Sequence, residues 1–204
     1  MSVCVCVHIY IYISVTLVCL PRKAHTQTAK MGKIIFYEDR NFRGRHYECT
    51  GDCTDLQAMF DRCHSIRVES GMFMIYDRPG YMGNQCFMSR GDNPDYMGTT
   101  CMNECVRSCR LIPMHRGTFR LRLYEHFDME GQMMELTDDC PNLSDRFRVS
   151  NFNSCDVADG HWLLYEQPNY RGRHFYLRPG AYRSFNEWSG TTSRVGSIKR
   201  LMDL

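Results

Sequence analysis

Four copies of one short pattern run through this chain of 204 residues, and they restrict its fold more than any other feature. In each copy a tyrosine is followed at once by an acid, five positions on by an aromatic ring or methionine, and seven positions on by a glycine. The copies are Tyr37/Phe42/Gly44, Tyr76/Tyr81/Gly83, Tyr124/Met129/Gly131 and Tyr165/Tyr170/Gly172, and the acids are Glu38, Asp77, Glu125 and Glu166. A serine closes each copy: Ser65, Ser108, Ser154 and Ser197 lie 28 to 32 residues after their tyrosines. Repetition at such a period means that one supersecondary unit has been reused.

The spacing also sets the domain organisation. Successive tyrosines are 39, 48 and 41 residues apart, so the middle step carries about a linker's worth of extra chain. Copies one and three share a cysteine and a leucine nine and twelve residues past the glycine, Cys53 and Leu56 in one, Cys140 and Leu143 in the other. Copies two and four share a second glycine eight residues on, Gly91 and Gly180. This ABAB order describes one two-motif domain duplicated. It predicts a first domain over 32–112, a linker over 113–118 and a second domain over 119–204, each of roughly 80 residues and able to hold a small core.

The units read as β-structure. Ile34-Ile35-Phe36-Tyr37, Phe73-Met74-Ile75-Tyr76, Leu121-Arg122-Leu123-Tyr124 and Trp162-Leu163-Leu164-Tyr165 are short runs rich in strand formers, closed by turn residues, and no long helical period interrupts them. In each copy the glycine is expected at positive φ, letting the ring fold over the hairpin where a Cβ would obstruct it. The serine hydroxyls are expected to satisfy backbone groups of that folded hairpin.

The first 31 residues stand apart. Val3–Leu20 is 18 residues without a formal charge, long enough to suggest a signal or membrane segment. Yet no basic residue precedes it, and no small-residue cleavage site follows it before Lys30. The run alternates Val-Cys and then Ile-Tyr, as translated GT and AT repeats would. Residues 1–30 are therefore read as translated upstream repeat and Met31 as the natural start, with a genuine secretory or anchoring segment as the rival.

Composition narrows the function. The whole chain carries a formal charge of +2, but the tail holds three basic residues and no acid, which leaves the remainder at −1. A neutral body makes no electrostatic footprint for nucleic acid. It keeps nine of the 12 cysteines, an odd number at irregular spacing, which suits a reducing compartment better than a disulfide framework. The unusual feature lies inside the totals: 21 of the 25 basic residues are Arg, and 14 Met join 11 Phe, 12 Tyr and 2 Trp. Guanidinium, thioether and aromatic ring are the polarizable side-chain groups.

Tyr-Glu-x-x-x-Phe-x-Gly with a late serine, four times as ABAB, resembles the βγ-crystallins. The short linker and the C-terminal Val195-Gly196-Ser197-Ile198-Lys199-Arg200-Leu201-Met202-Asp203 are similar to the vertebrate gamma-crystallins, and the methionine enrichment resembles their fish M type. The resemblance covers 32–204. It implies an all-β fold of two β-sandwich domains, each of two Greek keys, joined through an apolar interdomain face. It also implies a non-enzymatic, refractive structural protein of the lens fibre cytoplasm, monomeric, touching itself and other lens crystallins through weak contacts, with no cofactor, nucleic acid or membrane partner. A stress or differentiation protein, or a carbohydrate-binding module on the same fold, is the alternative.

The chain departs from that family in three places. Both tryptophans, Trp162 and Trp188, fall in the second domain, where the family carries a buried pair in each. Tyr182 follows Gly180 where a tyrosine corner belongs, but Asn93 holds the matching place after Gly91. Met129 replaces a ring. A less stable first domain is expected, through loss of a buried ring and its hydroxyl bond.

Candidate chemistry is sparse. Some βγ-crystallins bind calcium through two Asn/Asp residues, two free positions and Ser/Thr-Ser. The residues before Ser65, Ser108, Ser154 and Ser197 all lack the Ser/Thr, and Arg62 and Arg107 add positive charge, so no specific calcium site is expected. Cys49, Cys53, Cys63 and His64, and separately Cys101, Cys105 and Cys109, group in sequence without zinc-knuckle spacing, and read as reduced thiols open to oxidative cross-linking. No nucleophile elbow, phosphate loop or zinc helix occurs, and the repeat acids lie too far apart to form a catalytic couple. Arg90-Gly91-Asp92 spells an adhesion tripeptide at a turn glycine, Asn142-Leu143-Ser144 matters as a sequon only if the chain is secreted, and the runs around Arg43–Arg45 and Arg171–His174 read as solvated strand edges.

Overall fold

A computed structural model describes residues 32–96, 102, 105–147, 149, 151–188 and 191–202. The extension over 1–31 lies outside them, as do Cys101, Asn103, Glu104 and Ser150. The strand-forming runs pair as antiparallel sheets. In the first half these are β1 (Lys33–Asp39), β2 (Arg43–Cys49), β3 (Ser65–Ser70), β4 (Met72–Arg78), β5 (Met82–Met88), β6 (Gly91–Asn93) and β7 (Ser108–Ile112). The second half repeats them as β8 (Arg120–Tyr124), β9 (Met133–Leu136), β10 (Ser154–Asp159), β11 (Trp162–Gln167), β12 (Arg171–Leu177), β13 (Gly180–Tyr182) and β14 (Ser197–Arg200). A five-residue helix, α1 (Leu143–Phe147), buries Leu143.

Sheet order shows how the motifs interlock. The first domain has sheets β2-β1-β3-β6 and β5-β4-β7, and the second has β13-β10-β8-β9 and β12-β11-β14. Strand β6 belongs by sequence to the second motif, yet it pairs with β3 of the first, Ile66 facing Asn93 and Val68 facing Gly91. Strand β13 does the same on β10. Each domain is thus two Greek keys that exchange one strand.

Alternation along the strands fills three cores. Ile34, Phe36, Ile66, Phe73, Ile75 and Met88 pack between the first two sheets, and Leu121, Leu123, Phe152, Trp162, Leu164 and Leu177 between the second two. The third core joins the domains. Strand β4 sends Phe73 and Ile75 into its own domain, while Met72, Met74 and Tyr76 on its other face meet Leu163, Tyr176 and Leu201 of the second domain. With both faces covered, six of its seven residues are buried.

Polar contacts line the same seam. Gln85 on β5 accepts from the Tyr176 amide through Oε1 at 2.9 Å and donates through Nε2 to the Trp188 carbonyl at 3.2 Å. The Phe87 amide donates to His174 Nε2 at 2.9 Å.

The two domain cores differ where the sequence departs from the family. Phe73 occupies the place of Trp162, each three residues before its motif tyrosine on the central strand of its sheet, facing Met88 and Leu177 respectively. Tyr182 accepts from the Arg178 amide at 2.9 Å, donates to the Arg178 carbonyl at 3.2 Å and meets Trp188 edge to face. Asn93 replaces that corner, but a ring is not lost from the first core, because Tyr96 is wholly buried there beside Phe60 and Met102. The asymmetry therefore rests on the corner hydroxyl rather than on ring burial. In denaturant the first domain is expected to unfold first. Fluorescence from Trp162 and Trp188 then follows the second domain only, and its midpoint lies above that of circular dichroism; coincident midpoints refute this.

Candidate functional site

The four repeat serines are wholly buried and make the same pair of bonds. Each hydroxyl donates to the carbonyl two residues past the motif tyrosine: Ser65 to Asp39 at 2.6 Å, Ser108 to Arg78 at 2.6 Å, Ser154 to His126 at 2.5 Å and Ser197 to Gln167 at 2.7 Å. Each oxygen accepts the amide five past the tyrosine, from Phe42, Tyr81, Met129 and Tyr170, at 2.9 to 3.0 Å. One hydroxyl thus closes each hairpin corner.

That closure holds an uncommon backbone. Phe42, Tyr81, Met129 and Tyr170 themselves sit in the left-handed region, φ between 59° and 64°, a conformation that costs a non-glycine residue about 1–2 kcal/mol. The folded corner brings ring to ring, Tyr37 on Phe42, Tyr76 on Tyr81 and Tyr165 on Tyr170, with centroids 5.6 to 5.8 Å apart and near edge-to-face. Tyr124 and Met129 occupy the same corner in copy three.

The motif glycines follow two residues after the ring, exposed and at positive φ: 80° at Gly44, 81° at Gly83, 77° at Gly131 and 80° at Gly172. The reason that the sequence suggests for them needs correction. An added Cβ would meet not the folded ring but the side chain one or two positions past the motif tyrosine. In copies one, two and four a register shift just after the tyrosine accompanies this approach. The nearest atom would be Asp39 Oδ2 at 2.8 Å from Gly44, His126 Cδ2 at 2.6 Å from Gly131 and Gln167 Cγ at 3.2 Å from Gly172, while at Gly83 Asp77 Oδ1 would overlap the Cβ outright. Gly83 is therefore required by space as well as by angle, whereas at Gly172 the angle is the main demand.

Two further regularities went unread in the sequence. The acid after each tyrosine bonds the residue seven positions on: Glu38 takes Arg45, Asp77 takes Asn84, Glu125 the Gln132 amide and Glu166 takes Arg173. Arg45 holds the Glu38 carboxyl below its ordinary pKa. These acids clip the hairpin, which explains their regular placement. The residue two past the serine covers the ring, with Arg67 over Phe42 at 4.3 Å, Arg110 over Tyr81 at 3.8 Å and Lys199 over Tyr170 at 5.8 Å. Copy three has Asp156 there and Met129 in place of the ring. Ring and cation are exchanged together.

The corners also dock across the domain. The amide four past each tyrosine donates into the other motif: Asn41 to Pro94, Gly80 to Thr54, Asp128 to Arg183 and Asn169 to Pro141, at 2.7 to 2.9 Å.

The cysteines regroup relative to their sequence order. Cys109 Sγ donates to Cys49 Sγ at 3.5 Å, and the Cys53 amide donates to the Cys109 carbonyl at 2.8 Å, so the first sequence group takes its third member from the second. Donation by Cys109 draws the Cys49 thiol down to about 6. The same bond, with burial, pushes Cys109 well up. Of the eight described cysteines, all free, only Cys53 and Cys105 are partly exposed, so among the described thiols these two are the ones open to cross-linking between molecules. Among the described residues no three His, Cys, Asp or Glu side chains are placed to hold a metal. At the candidate calcium loops, Arg62 bonds Asp39 at 2.9 Å and Asn153 donates to the Glu125 carbonyl at 2.7 Å. Asp92 of the adhesion-like tripeptide is clamped by Arg67 through two bonds of 2.8 and 3.0 Å.

Comparison with known proteins agrees with this geometry. The beta/gamma crystallin family model matches residues 33–112 and 120–201, and the chain belongs to that family. It is 54% identical over 173 residues to gamma-crystallin M2 of Chiloscyllium indicum, covering 85% of this chain and 98% of that one. It is 56% identical to gamma-crystallin M3 of Cyprinus carpio and 56% identical to gamma-crystallin B of Bos taurus, in each case over 85% of this chain and 99% of the relative.

Two outcomes follow from the site. Ser108→Ala strands the Tyr81 amide and the Arg78 carbonyl in a buried corner and is expected to lower unfolding free energy by about 2–3 kcal/mol. The exposed Ser89→Ala should change it by less than about 0.5 kcal/mol, and equal effects in chemical denaturation would contradict the role. His161 is buried against Tyr176, whose hydroxyl lies 2.9 Å from Nδ1. Burial first, then the nearby His115 and Arg178 charges, push its pKa down to about 4. The unfolded imidazole takes a proton near 6.5 while the folded one stays neutral, so stability falls as pH drops from about 6.5 to about 4 and is not regained below. His161→Gln should remove about 1–2 kcal/mol of that acid loss, allowing for solvent screening; thermal melts across this range test it.

Proposed function

We propose that this chain is a structural, refractive constituent of the eye lens, non-enzymatic and held in the fibre-cell cytoplasm. The observation that carries the reading is the conjunction of relatives named gamma-crystallins over 85% of the chain with a polarizable composition that packing does not require. Met59, Met82, Met114, Met133 and Met202 are exposed, Met82 at 62%. A thioether in water adds nothing to a core, but it raises refractive index per unit mass. Arginine in place of lysine acts in the same direction.

The body's near-neutral charge favours weak attraction over repulsion. It fits a monomer that contacts itself and other lens crystallins loosely and takes no nucleic-acid or membrane partner, while the missing Ser/Thr before each closing serine and the positive Arg62 and Arg107 support the absence of a specific calcium site. Residues 32–204 carry this role, and 1–30 are translated repeat. Among the described residues no helix is long and apolar enough to cross a membrane.

Differential refractometry of the purified protein is expected to give a refractive increment above that of an average protein, with transcripts confined to lens. An average increment, or wide tissue expression, would overturn the proposal.

A further inference from the structure

At one end of the seam between the domains, where β3 turns into β4, lies a cleft of about 590 Å³. That volume is in the range of sites that take a small organic molecule. Its walls come from both domains, Phe87, Leu111 and Ile112 from the first and Leu163, Tyr165 and Leu201 from the second, so it continues the interdomain core outward. Duplication shows why the cleft opens on this side. In the second domain the turn after β10 is covered by the Phe119 ring, which a Cβ at Gly160 would overlap. Gly71 holds the matching turn after β3. The residue in the place of Phe119, five before the motif tyrosine, is there Gly32, which has no side chain to lay over it.

The rim is charged, and its charges do not cancel. Glu69 is met by Lys33 at 3.2 Å, and Arg200 by Asp139 and Asp138 at 3.0 and 2.9 Å. Arg90 of the first domain and Lys199 of the second are left over: both are exposed, and among the described residues neither forms an ion pair. Lys199 pairs with Leu163 between β14 and β11, which puts its side chain on the interdomain face of that sheet. Its Nζ stands 5.8 Å from the Tyr170 ring centroid, a looser cover than Arg110 gives Tyr81 at 3.8 Å. Two uncompensated cations beside an apolar floor attract an anion more strongly than the same cations would on an open surface.

We propose that this cleft binds an amphipathic organic monoanion, an aromatic or short aliphatic body carrying one carboxylate or sulfonate. The body lies against the apolar walls and the acid meets Arg90 and Lys199. Charge sets this occupant apart from the chain's own N-terminal segment. The residues preceding Gly32 include Arg22, Lys23 and Lys30 and no acid, a poor match for a cationic rim.

Fluorescence titration of the full chain with anilinonaphthalene sulfonate is expected to show one saturable site with a Kd of about 10–100 μM. In nuclear magnetic resonance of the nitrogen-15-labelled chain, the amides that shift should centre on Phe87, Arg90, Leu111, Lys199 and Leu201. Arg90→Gln combined with Lys199→Gln should weaken the sulfonate at least about fivefold. Phenylnaphthylamine, the same rings without the sulfonate, should bind the substituted and unsubstituted chains within about twofold, which also shows that the cleft is still formed. Arg90→Gln alone, on an exposed residue, should weaken the sulfonate at least about twofold. Absence of saturable binding, amide shifts centred elsewhere, undiminished sulfonate binding by the variants, or equal loss of both probes overturns the proposal. So does an affinity that falls as protein concentration rises, which would put a second copy of the chain in the cleft.

Discussion

A left-handed backbone at one ring-bearing or methionine residue, held by one buried serine hydroxyl, is the constraint on which each motif depends. Phe42, Tyr81, Met129 and Tyr170 adopt an angle that disfavours residues with a Cβ. The serine offsets this by taking that residue's amide and giving its own proton to a carbonyl three residues earlier. The corner so fixed aims the ring back over the motif tyrosine and turns the following strand. It also points the amide one residue earlier into the partner motif, where it finds a carbonyl. Local conformation, ring packing and domain assembly thus pass through the same few atoms.

Above the corners, the architecture rests on strands with two buried faces. Strand β4 supplies one core with Phe73 and Ile75 and the interdomain core with Met72, Met74 and Tyr76. Strand β11 divides itself likewise, Trp162 and Leu164 inward and Leu163 across the seam. The transfer of β6 and β13 ties the two halves of each domain, because the first motif's sheet takes its fourth strand from the second motif. A small core gains from this, since the sheet that closes it cannot slide away as a unit.

Much of this was legible in the residues, for reasons that differ by element. The tyrosine, glycine and serine positions recur because they meet a steric and a hydrogen-bonding demand that few residue types can satisfy, and such demands leave a register. The register of Gly44, Gly131 and Gly172 did not say what crowds them, since the side chains nearest their missing Cβ atoms are Asp39, His126 and Gln167, three different residue types with no common signature. The alternation of Phe73-Met74-Ile75 likewise announced a strand, although not that both its faces would be covered, since methionine fits core and interface equally well. The dihedral angle at Phe42 left no mark, because an aromatic side chain is not the residue type that advertises positive φ. The acids after the tyrosines were visible but uninterpretable until the folded hairpin brought each beside the residue seven positions on. Tyr96 and the pairing of Cys49 with Cys109 depend on chain crossings that span tens of residues, and spacing along the sequence carries no information about them.

The seam between the domains has a meaning for crowding. Strands β5 and β12 each lie at the margin of a three-stranded sheet, where unpaired amides invite another chain to add itself. Here the Phe87 amide of one margin is covered by an imidazole from the other, and the Tyr176 amide of the second by a carboxamide from the first. Each domain therefore acts as the other's stopper against fibrous growth, and the covalent linker keeps the stopper at hand after any momentary parting. At high concentration, the second domain protects the first from its neighbours.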